Sequence, residues 1–440
     1  MKEQVTKTSW SIPAASARPE IELLLCCART CMDAARSERI RALLRSEIDW
    51  AYLIRLAGPH GMLPLLYWSL NKTCPEAVPE PIMDQLRDHF YHNAGHNLFL
   101  TDELLNLIRL FERDGISAIP YKGPVLTATL YENLGLREFG DLDLLVHKRD
   151  VLKAKDLLIS QGYRSLLCMS SEQEAAYLRS GRHKDYQLER DDGKLILELH
   201  WKLAESPYPF PFDHERLWER LETVSLAGAK VRNFSPEDLL LILCLHGSRH
   251  LWRRLSWICD IAELIRTHQA INWGCVMQRA ESAGSRRLLL LGLNLADSLL
   301  GAPLPDHVRR RVKADRVIRR LNARISESLF RAPCGQPENL EIAFFHLMVK
   351  ERLRDKVRFG YHFCLIYRRW LRSYLLGIVT PCESDRALLP LPAQLSFLYF
   401  LLRPLRLAKK HGLQRLNRHL RRIAAIMKSG GSRVAQASDQ

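Results

Sequence analysis

Apolar positions follow two spacings along the 440-residue chain, and the changes of spacing predict where helices and strands lie. Over residues 21–70 and 83–115, apolar residues recur every three or four positions, as in amphipathic helices. Between residues 100 and 205, short apolar runs that predict strands interrupt the helical spacing. Gly115 and Gly162 follow two predicted helices and are suited to end them. The pattern therefore predicts an α+β fold, with the mixed segment between largely helical regions.

The segment HKDYQLERDDGKLILELHWKL, residues 183–203, predicts two strands joined by the turn sequence Asp-Asp-Gly. Because side chains alternate along a strand, Glu198 and His200 share one face of the second strand. The same rule places Asp141 and Asp143 on one face of the strand DLDLLV, while the leucine between them faces the core. If these strands pair, three carboxylates converge and repel one another unless a cation lies between them. Carboxylates are the ligands that Mg²⁺ prefers, so the pattern predicts a metal site.

The composition is that of a globular protein, with 47% hydrophobic and 26% charged residues. The first twenty residues contain no apolar core, so we expect no secretion signal. The eleven cysteines are scattered, which indicates reduced thiols in the cytoplasm and not a disulfide framework. Cys27 and Cys31 have helical spacing, but no second pair completes a zinc site, so buried thiols are the better interpretation.

The formal charge of +16 comes from the C-terminal third of the chain. Residues 301–440 hold 28 Lys and Arg against 10 Asp and Glu, whereas the first 300 residues are nearly neutral. A basic region of this kind favours an anionic partner, such as nucleic acid, a membrane surface or a charged polymer.

The C-terminal region carries a predicted basic amphipathic helix. The uncharged run 387–402 has two internal prolines and is shorter than the roughly 18–20 residues of a membrane-spanning helix. Beyond it, arginines are interspersed among apolar residues spaced by three and four, namely Leu413, Leu416, Leu420, Ile423 and Met427. Three interpretations stay open: packing on the protein itself, docking on an anionic membrane surface, or holding a phosphate-rich acceptor such as RNA. We expect a cytoplasmic protein, with a peripheral position at the inner membrane face as the alternative.

An Asp-x-Asp pair alone is a weak signal, but here it stands in an ordered series of motifs. The series is Lys122-Gly123, Tyr131, Arg137, Asp141-x-Asp143 and, much later, Glu198-x-His200-Trp201. It resembles the polymerase-beta-like nucleotidyltransferase superfamily and, within it, the bacterial family usually called uncharacterised nucleotidyltransferases. The resemblance covers roughly residues 85–265.

The resemblance implies a small mixed β-sheet backed by helices, two bound Mg²⁺ or Mn²⁺ ions, and transfer of a nucleoside monophosphate from an NTP. Asp141 and Asp143 would ligate the ions. Glu198 would be the third carboxylate, able to bind an ion and to accept a proton from the attacking hydroxyl. The residues that would contact the nucleotide phosphates are Lys122, Gly123 and Arg137.

The chain departs from the superfamily pattern at two positions. Pro124 follows Gly123 where Gly or Ser is common, and proline offers neither a hydroxyl nor an N–H group. Glu198 stands where Asp is commoner, so the reach of the third carboxylate differs. Either departure is compatible with altered chemistry or with loss of activity.

Several candidate residues have a simpler structural explanation. Arg137 can pair with Glu132 or Glu138 in place of a phosphate, and a lysine beside a turn is often only solvated. His200, next to Trp201, is better explained as a structural histidine than as a proton carrier.

Two further candidates lie downstream. His246 and His250 have the i, i+4 spacing of a metal-binding helix, but HGSRH lacks the glutamate of the metalloprotease motif, so zinc is disfavoured. Asp260 either contributes to the pocket or balances a charge network.

The sequence thus predicts an α+β protein whose small mixed-sheet nucleotidyltransferase core is flanked by N-terminal and C-terminal helical regions. The predicted divisions are a leader (1–18), an N-terminal helical region (19–84), the core (85–225), a helical domain completing the cleft (226–330) and a basic C-terminal region (331–440). The predicted function is metal-dependent nucleotidyl transfer to an unidentified small molecule, peptide, sugar or RNA. Two rivals stay open: a nucleotide-binding sensor or scaffold without catalysis, and a basic adaptor.

Overall fold

The structure is a computed structural model. It describes residues 18–180, 183–204, 214–331, 339–365 and 398–400. The chain divides into two compact units, Met1–Phe359 and Gly360–Gln440, and the features described below belong to the first. The predicted basic helix at residues 413–427 lies outside the described residues, so its docking on membrane or RNA stays a prediction. Among the described residues, no helix combines the length and apolar character needed to cross a membrane.

The described chain is helical up to Arg113, helices and strands alternate from Ala118 to Asn233, and helices follow from Pro236. The helices are α1 (Pro19–Cys27), α2 (Ala34–Leu44), α3 (Trp50–Ala57), α4 (Leu63–Thr73), α5 (Glu80–Arg113), α6 (Gly123–Tyr131), α7 (Val151–Ser160), α8 (Ser171–Arg179), α9 (His214–Glu219), α10 (Pro236–Arg249), α11 (Leu255–Thr267), α12 (Trp273–Ser282), α13 (Arg286–Leu300), α14 (Asp306–Ala314), α15 (Arg316–Leu329) and α16 (Asn339–Val349). The strands are β1 (Ala118–Pro120), β2 (Asp141–Val146), β3 (Tyr163–Ser165), β4 (Asp185–Arg190), β5 (Ile196–His200), β6 (Glu222–Leu226) and β7 (Ala229–Asn233).

Local sequence explains where several helices begin and end. Gly115 and Gly162 adopt φ angles of +69° and +83° just beyond α5 and α7, a conformation that glycine reaches without a Cβ clash. At the start of α10, the Ser235 hydroxyl accepts a hydrogen bond from the Asp238 N–H, and Pro236 occupies the first turn. The predicted stops at Gly115 and Gly162 are therefore confirmed.

Five strands form a mixed sheet in the order β1-β2-β5-β4-β3, and β6 pairs with β7 in a separate two-stranded sheet. β2 and β5 run parallel, whereas the β1–β2, β4–β5 and β3–β4 pairs are antiparallel. The β4–β5 pair is the predicted hairpin. Its turn includes Gly193 at a φ angle of +70°, consistent with the Asp-Asp-Gly signal.

The register of the central strands follows from burial of their leucines. Leu142, Leu144, Leu197 and Leu199 are at most 1% exposed and belong to the core beneath the sheet. With those leucines buried, β2 and β5 pair with Asp143 opposite Glu198, which turns both carboxylates to the other face.

Two hydrophobic cores hold the first unit together. One lies against the sheet and includes residues of α5 and α7 as well as the strand leucines. The other joins the N-terminal helices α1–α4 to the helices α10–α15. The structure confirms the α+β class and the small mixed sheet, while the predicted domain boundaries stay predictions.

Candidate active site

The face of the sheet opposite the leucine core carries a group of charged side chains from β2 and β5. Asp143 is 5% exposed and His200 is 1% exposed, whereas Asp141 and Glu198 are partly exposed. The buried pair therefore forms the floor of the candidate site, and the partly exposed pair forms its rim.

The ammonium group of Lys122 lies on Asp143. Its Nζ is 2.9 Å from Oδ1 and 3.0 Å from Oδ2, so one cation is shared by both carboxylate oxygens. Lys122 adopts a φ angle of +98°, and the following Gly123 one of +46°, immediately at the start of α6. A left-handed conformation is unusual for lysine, and such strain concentrates at functional sites. The turn directs the lysine into the site.

His200 joins the two strands of the site. Its Nε2 lies 2.9 Å from Asp143 Oδ1 and 3.2 Å from Glu198 Oε2. An ionised carboxylate only accepts hydrogen bonds, so Nε2–H donates in this arrangement. The edge of the Tyr121 ring packs against the imidazole with centroids 5.3 Å apart. The predicted structural role of His200 therefore has a specific form: it orients two acids.

The N-terminal end of the hairpin adds two charged residues that the sequence reasoning missed. Lys184 Nζ binds Asp185 and lies 3.4 Å from Glu198 Oε2. Asp185 Oδ2 lies 3.7 Å from His200 Nδ1. Asp185 is directly opposite His200 in the β4–β5 register, so working out the register of the predicted hairpin would have found it.

The acids of the site differ in their pKa values. Burial and the neighbouring Asp143 raise the pKa of Asp141 above its usual value. Burial also acts upward on Asp143, but Lys122 and the hydrogen bond from His200 outweigh it and lower its pKa to about 2. Burial acts upward on Glu198 as well, but the hydrogen bond from His200 and the charge of Lys184 outweigh it and lower its pKa. At neutral pH, Asp143 and Glu198 are ionised.

Ligand atoms of Asp143, Glu198 and His200 all lie within 4.8 Å of one another, close enough to hold a metal ion. The site holds the carboxylates of Asp141, Asp143, Asp185 and Glu198 and the ammonium groups of Lys122 and Lys184. Arg137 also acts on Asp141, but its own charge is matched by Asp260. With a neutral imidazole, this group carries two excess negative charges, which one divalent cation would balance.

Arg137 and Asp260 form a second, separate ion pair. Arg137 Nε lies 2.8 Å from Asp260 Oδ1, and Nη2 lies 3.0 Å from Oδ2, so the pair is bidentate. The Tyr131 hydroxyl donates to the same Oδ1 at 2.7 Å. Arg137 is 7% exposed and Asp260 is 1% exposed. The local partner considered from sequence, Glu138, instead bonds to His89 at 2.9 Å.

Two asparagines of α5 fix the segment that carries Arg137. Asn93 Nδ2 donates to the carbonyl oxygens of Gly135 and Arg137 at 2.9 and 3.2 Å. Asn97 Nδ2 donates to those of Leu134 and Arg137 at 2.6 and 2.8 Å. These bonds satisfy buried backbone carbonyls just before β2 and so hold the approach to Asp141.

His246 and His250 lie together near the C-terminal end of α10. Their ring centroids are 4.8 Å apart, and the Trp257 ring lies 5.3 and 5.0 Å from them. Burial and Lys122 lower the pKa of His246, and burial and Arg249 lower that of His250 to about 4. Both imidazoles are thus neutral at pH 7. The three-donor group found among the described residues does not include them, and zinc binding here stays a disfavoured prediction.

Comparison with known proteins gives one family match. Residues 46–301 match the family described as "Uncharacterised nucleotidyltransferase", a longer range than the motifs alone covered. No curated protein matches. Among solved structures, an antigenic nucleotidyltransferase-like protein from Paracoccidioides brasiliensis is similar at 19% identity and a TM-score of 0.31, over 48% of this chain and 96% of that one. A structural similarity this low carries no weight for fold or function.

Proposed function

We propose a function from the premise that this chain belongs to the uncharacterised nucleotidyltransferase family, whose match covers more than half of its length. Family membership indicates a transferase that takes an NTP substrate. The proposed reaction is metal-dependent transfer of a nucleoside monophosphate from the NTP to a hydroxyl or phosphate oxygen of an acceptor. The acceptor oxygen bonds to the α-phosphorus, the bond from the α-phosphorus to the oxygen that bridges to the β-phosphorus breaks, and pyrophosphate leaves. A hydroxyl acceptor gives its proton to Glu198 or to water.

The observation that carries this proposal is the parallel pairing of β2 with β5. It sets Asp143 opposite Glu198 and leaves Asp141 on the same face at the rim. Two strands far apart in sequence therefore supply one group of carboxylates, as metal-dependent phosphoryl transfer requires.

The residues present fit a divalent cation. In the described structure, the Lys122 ammonium occupies a cation position on Asp143, and the carboxylates exceed the ammonium groups. We assign Asp141, Asp143 and Glu198 to two Mg²⁺ or Mn²⁺ ions. When bound, the ions supply charge neutralisation at the phosphates and at the attacking oxygen.

The protein's own groups have separable proposed roles. Lys122 can exchange its contact with Asp143 for a phosphate oxygen, which compensates for the missing N–H of Pro124. Gly123 lets the backbone turn at the start of α6, close to the phosphates. The lowered pKa of Glu198 keeps it ionised for ligation and makes it a weak proton acceptor, so ligation is the stronger of its two predicted roles.

The proposed role of Arg137 differs from those of Lys122 and Gly123. Because its Nε and Nη2 bind Asp260, we assign it a positioning role at the entry to β2. The phosphate contact implied for Arg137 by the family resemblance stays a prediction.

A label-transfer assay tests the proposal. Full-length protein is incubated with Mg²⁺ or Mn²⁺, each NTP labelled at the α- or γ-phosphate, and fractionated cell extract. We expect the α-label alone to appear on an acceptor. Asp143→Asn should reduce transfer by at least about 10²–10³-fold, the loss typical of removing one electrostatic stabiliser.

The matched control is Asp156→Asn, which changes an aspartate whose side chain is 73% exposed on α7. Transfer by this variant should equal that of the wild type. Transfer that survives replacement of both Asp141 and Asp143 would contradict the metal-dependent mechanism.

A nucleotide-binding sensor without catalysis is the second candidate. It is favoured by Pro124 in the first turn of α6, where an N–H group could otherwise meet a phosphate, and by the commitment of Arg137 to Asp260. Nucleotide binding measured by calorimetry, with no α-label transferred to any fraction, would support the sensor.

A further inference from the structure

His200 has a position in the site that an orienting role alone does not require. Its side chain is 1% exposed, as deeply buried as that of Asp143 and far more than that of Glu198, which is 18% exposed. Its Nε2 points between the carboxylates of Asp143 and Glu198, at 2.9 and 3.2 Å. A cation bound by both carboxylates would therefore meet this ring nitrogen as well.

The other nitrogen of His200 faces a second acid. Asp185 Oδ2 lies 3.7 Å from Nδ1, in the directly opposed cross-strand position, and Lys184 Nζ, which is paired with Asp185, lies 3.5 Å from the same nitrogen. In the described structure the ammonium therefore donates to Nδ1, and Nε2 carries the proton. Metal-bound histidines typically turn their second nitrogen to a carboxylate or carbonyl, which fixes the tautomer and ring orientation. Here the carboxylate of Asp185, the ring of His200 and the cation position follow one another in the same way. Lys184 is held between Asp185 and Glu198.

We propose that His200 Nε2 is a ligand of one bound ion, with Asp185 as its outer partner, so that the site prefers Mn²⁺ to Mg²⁺. The inference rests on the proposed metal-dependent function and concerns the identity of the ion. In the ion-bound protein the imidazole carries its proton on Nδ1, facing Asp185, and Nε2 presents its lone pair to the ion.

The preference follows from ligand chemistry. Mg²⁺ demands near-ideal octahedral geometry and prefers oxygen ligands and water. First-row transition ions accept imidazole nitrogen alongside carboxylate oxygen. The ligand set Asp143, Glu198 and His200 therefore favours binding of Mn²⁺ over binding of Mg²⁺.

Electron spin echo envelope modulation of the full-length protein with Mn²⁺ alone tests the proposal without any enzymatic assay. We expect coupling of the ion to ¹⁴N in the wild type and its loss in His200→Gln. The glutamine amide can still donate a hydrogen bond to the acids but offers no imidazole nitrogen. Bound Mn²⁺ without ¹⁴N coupling in the wild type would overturn the proposal, whether or not the variant folds.

Two variants assign the nitrogen. His246→Gln removes another imidazole near Lys122 and should leave the coupling in place. If the coupling disappears in His246→Gln and persists in His200→Gln, the proposal is wrong. Asp185→Ala keeps the ligand but removes its partner, so we expect retained coupling with Mn²⁺ affinity weakened roughly 10–100-fold. Unchanged affinity would contradict the outer role of Asp185.

Calorimetric titration with Mn²⁺ and Mg²⁺ separately completes the test. We expect tighter binding of Mn²⁺ by the wild type and a reduced preference in His200→Gln. Equal affinities in the wild type would overturn the inference. The ion site and the proposed function can fail separately. Nitrogen-coupled Mn²⁺ without label transfer would support the ion site and not the function. Label transfer with oxygen ligands alone would support the function and not the His200 ligand.

Discussion

The Asp143 and Asp260 sites both bury an aspartate, but they balance its charge differently. Asp260 accepts two hydrogen bonds from the Arg137 guanidinium and one from the Tyr131 hydroxyl, and it is 1% exposed. Asp143 shares its space with Glu198 and Asp141, and Lys122 is the ammonium group in contact with it. At Asp260 the charges match, whereas at Asp143 carboxylates predominate.

The difference separates a structural ion pair from an ion-binding site. A buried carboxylate with a bidentate cationic partner needs no further cation to balance its charge. Removing either member of the pair leaves the other as an uncompensated buried charge. A group with excess carboxylates gains from a divalent cation. The candidate active site is therefore the Asp143 group, and the Asp260 pair holds the segment before β2 against α11.

The largest expected effect is on stability, at the matched pair. Asp260→Ala leaves the Arg137 guanidinium buried without its partner, and we expect the free energy of unfolding to fall by about 3–5 kcal/mol. Chemical denaturation measures it. The double variant Arg137→Met, Asp260→Leu should recover most of the loss, because a hydrophobic pair leaves no buried charge. Equal instability of the single and double variants would argue against charge as the cause.

A second prediction compares how added Mn²⁺ affects variants of the Asp143 site and of the Asp260 site. Lys122→Met removes the ammonium from Asp143, and we expect ion-free stability to fall by about 1–3 kcal/mol. Added Mn²⁺ should restore it and should raise the melting temperature more than in the wild type, because no ammonium competes for the carboxylate. Calorimetric melting with and without Mn²⁺ measures both effects.

The matched control for this rescue is Arg137→Met, whose melting temperature should gain no more from Mn²⁺ than that of the wild type. If both variants are rescued alike, the proposed contrast between the two sites fails.

These contrasts also show how far sequence reasoning reaches. Alternation within one strand correctly grouped Asp141 with Asp143 and Glu198 with His200, because the side-chain period of a strand is fixed. The hairpin turn and the glycine after α5 were equally local, and both predictions are confirmed.

Partners distant in the chain were not predictable in the same way. Arg137 lies 123 residues from Asp260, and the sequence suggested only nearby glutamates as partners. Which buried acid it meets depends on how α11 packs near the sheet, and no local pattern encodes that. Lys184 and Asp185 were missed for a different reason: alternation gives the face of a residue but not its neighbour across the hairpin.

The smallest expected effect distinguishes the two aspartates of β2 by pH. The raised pKa of Asp141 means that its ionisation opposes folding at neutral pH, so Asp141→Asn should stabilise the ion-free protein at pH 7. The pKa of Asp143, lowered from 3.8 to about 2, means that its ionised form stabilises the fold above pH 3.8 and loses this effect as the pH falls to about 2.

Asp143→Asn should therefore be less stable than the wild type at pH 7, and the two should converge near pH 2. Urea unfolding in EDTA across this pH range measures both variants. A shift of the same sign for both at pH 7 would contradict the assigned difference between the two carboxylates.

Anomalous diffraction at the manganese edge tests the central claim most directly, using crystals of the full-length protein grown with Mn²⁺ and a non-hydrolysable NTP analogue. We predict anomalous density between Asp143 and Glu198, with the α-phosphate of the analogue beside it and the Asp260 pair free of metal. Nucleotide bound elsewhere, or a site with no manganese between these two carboxylates, would contradict the account.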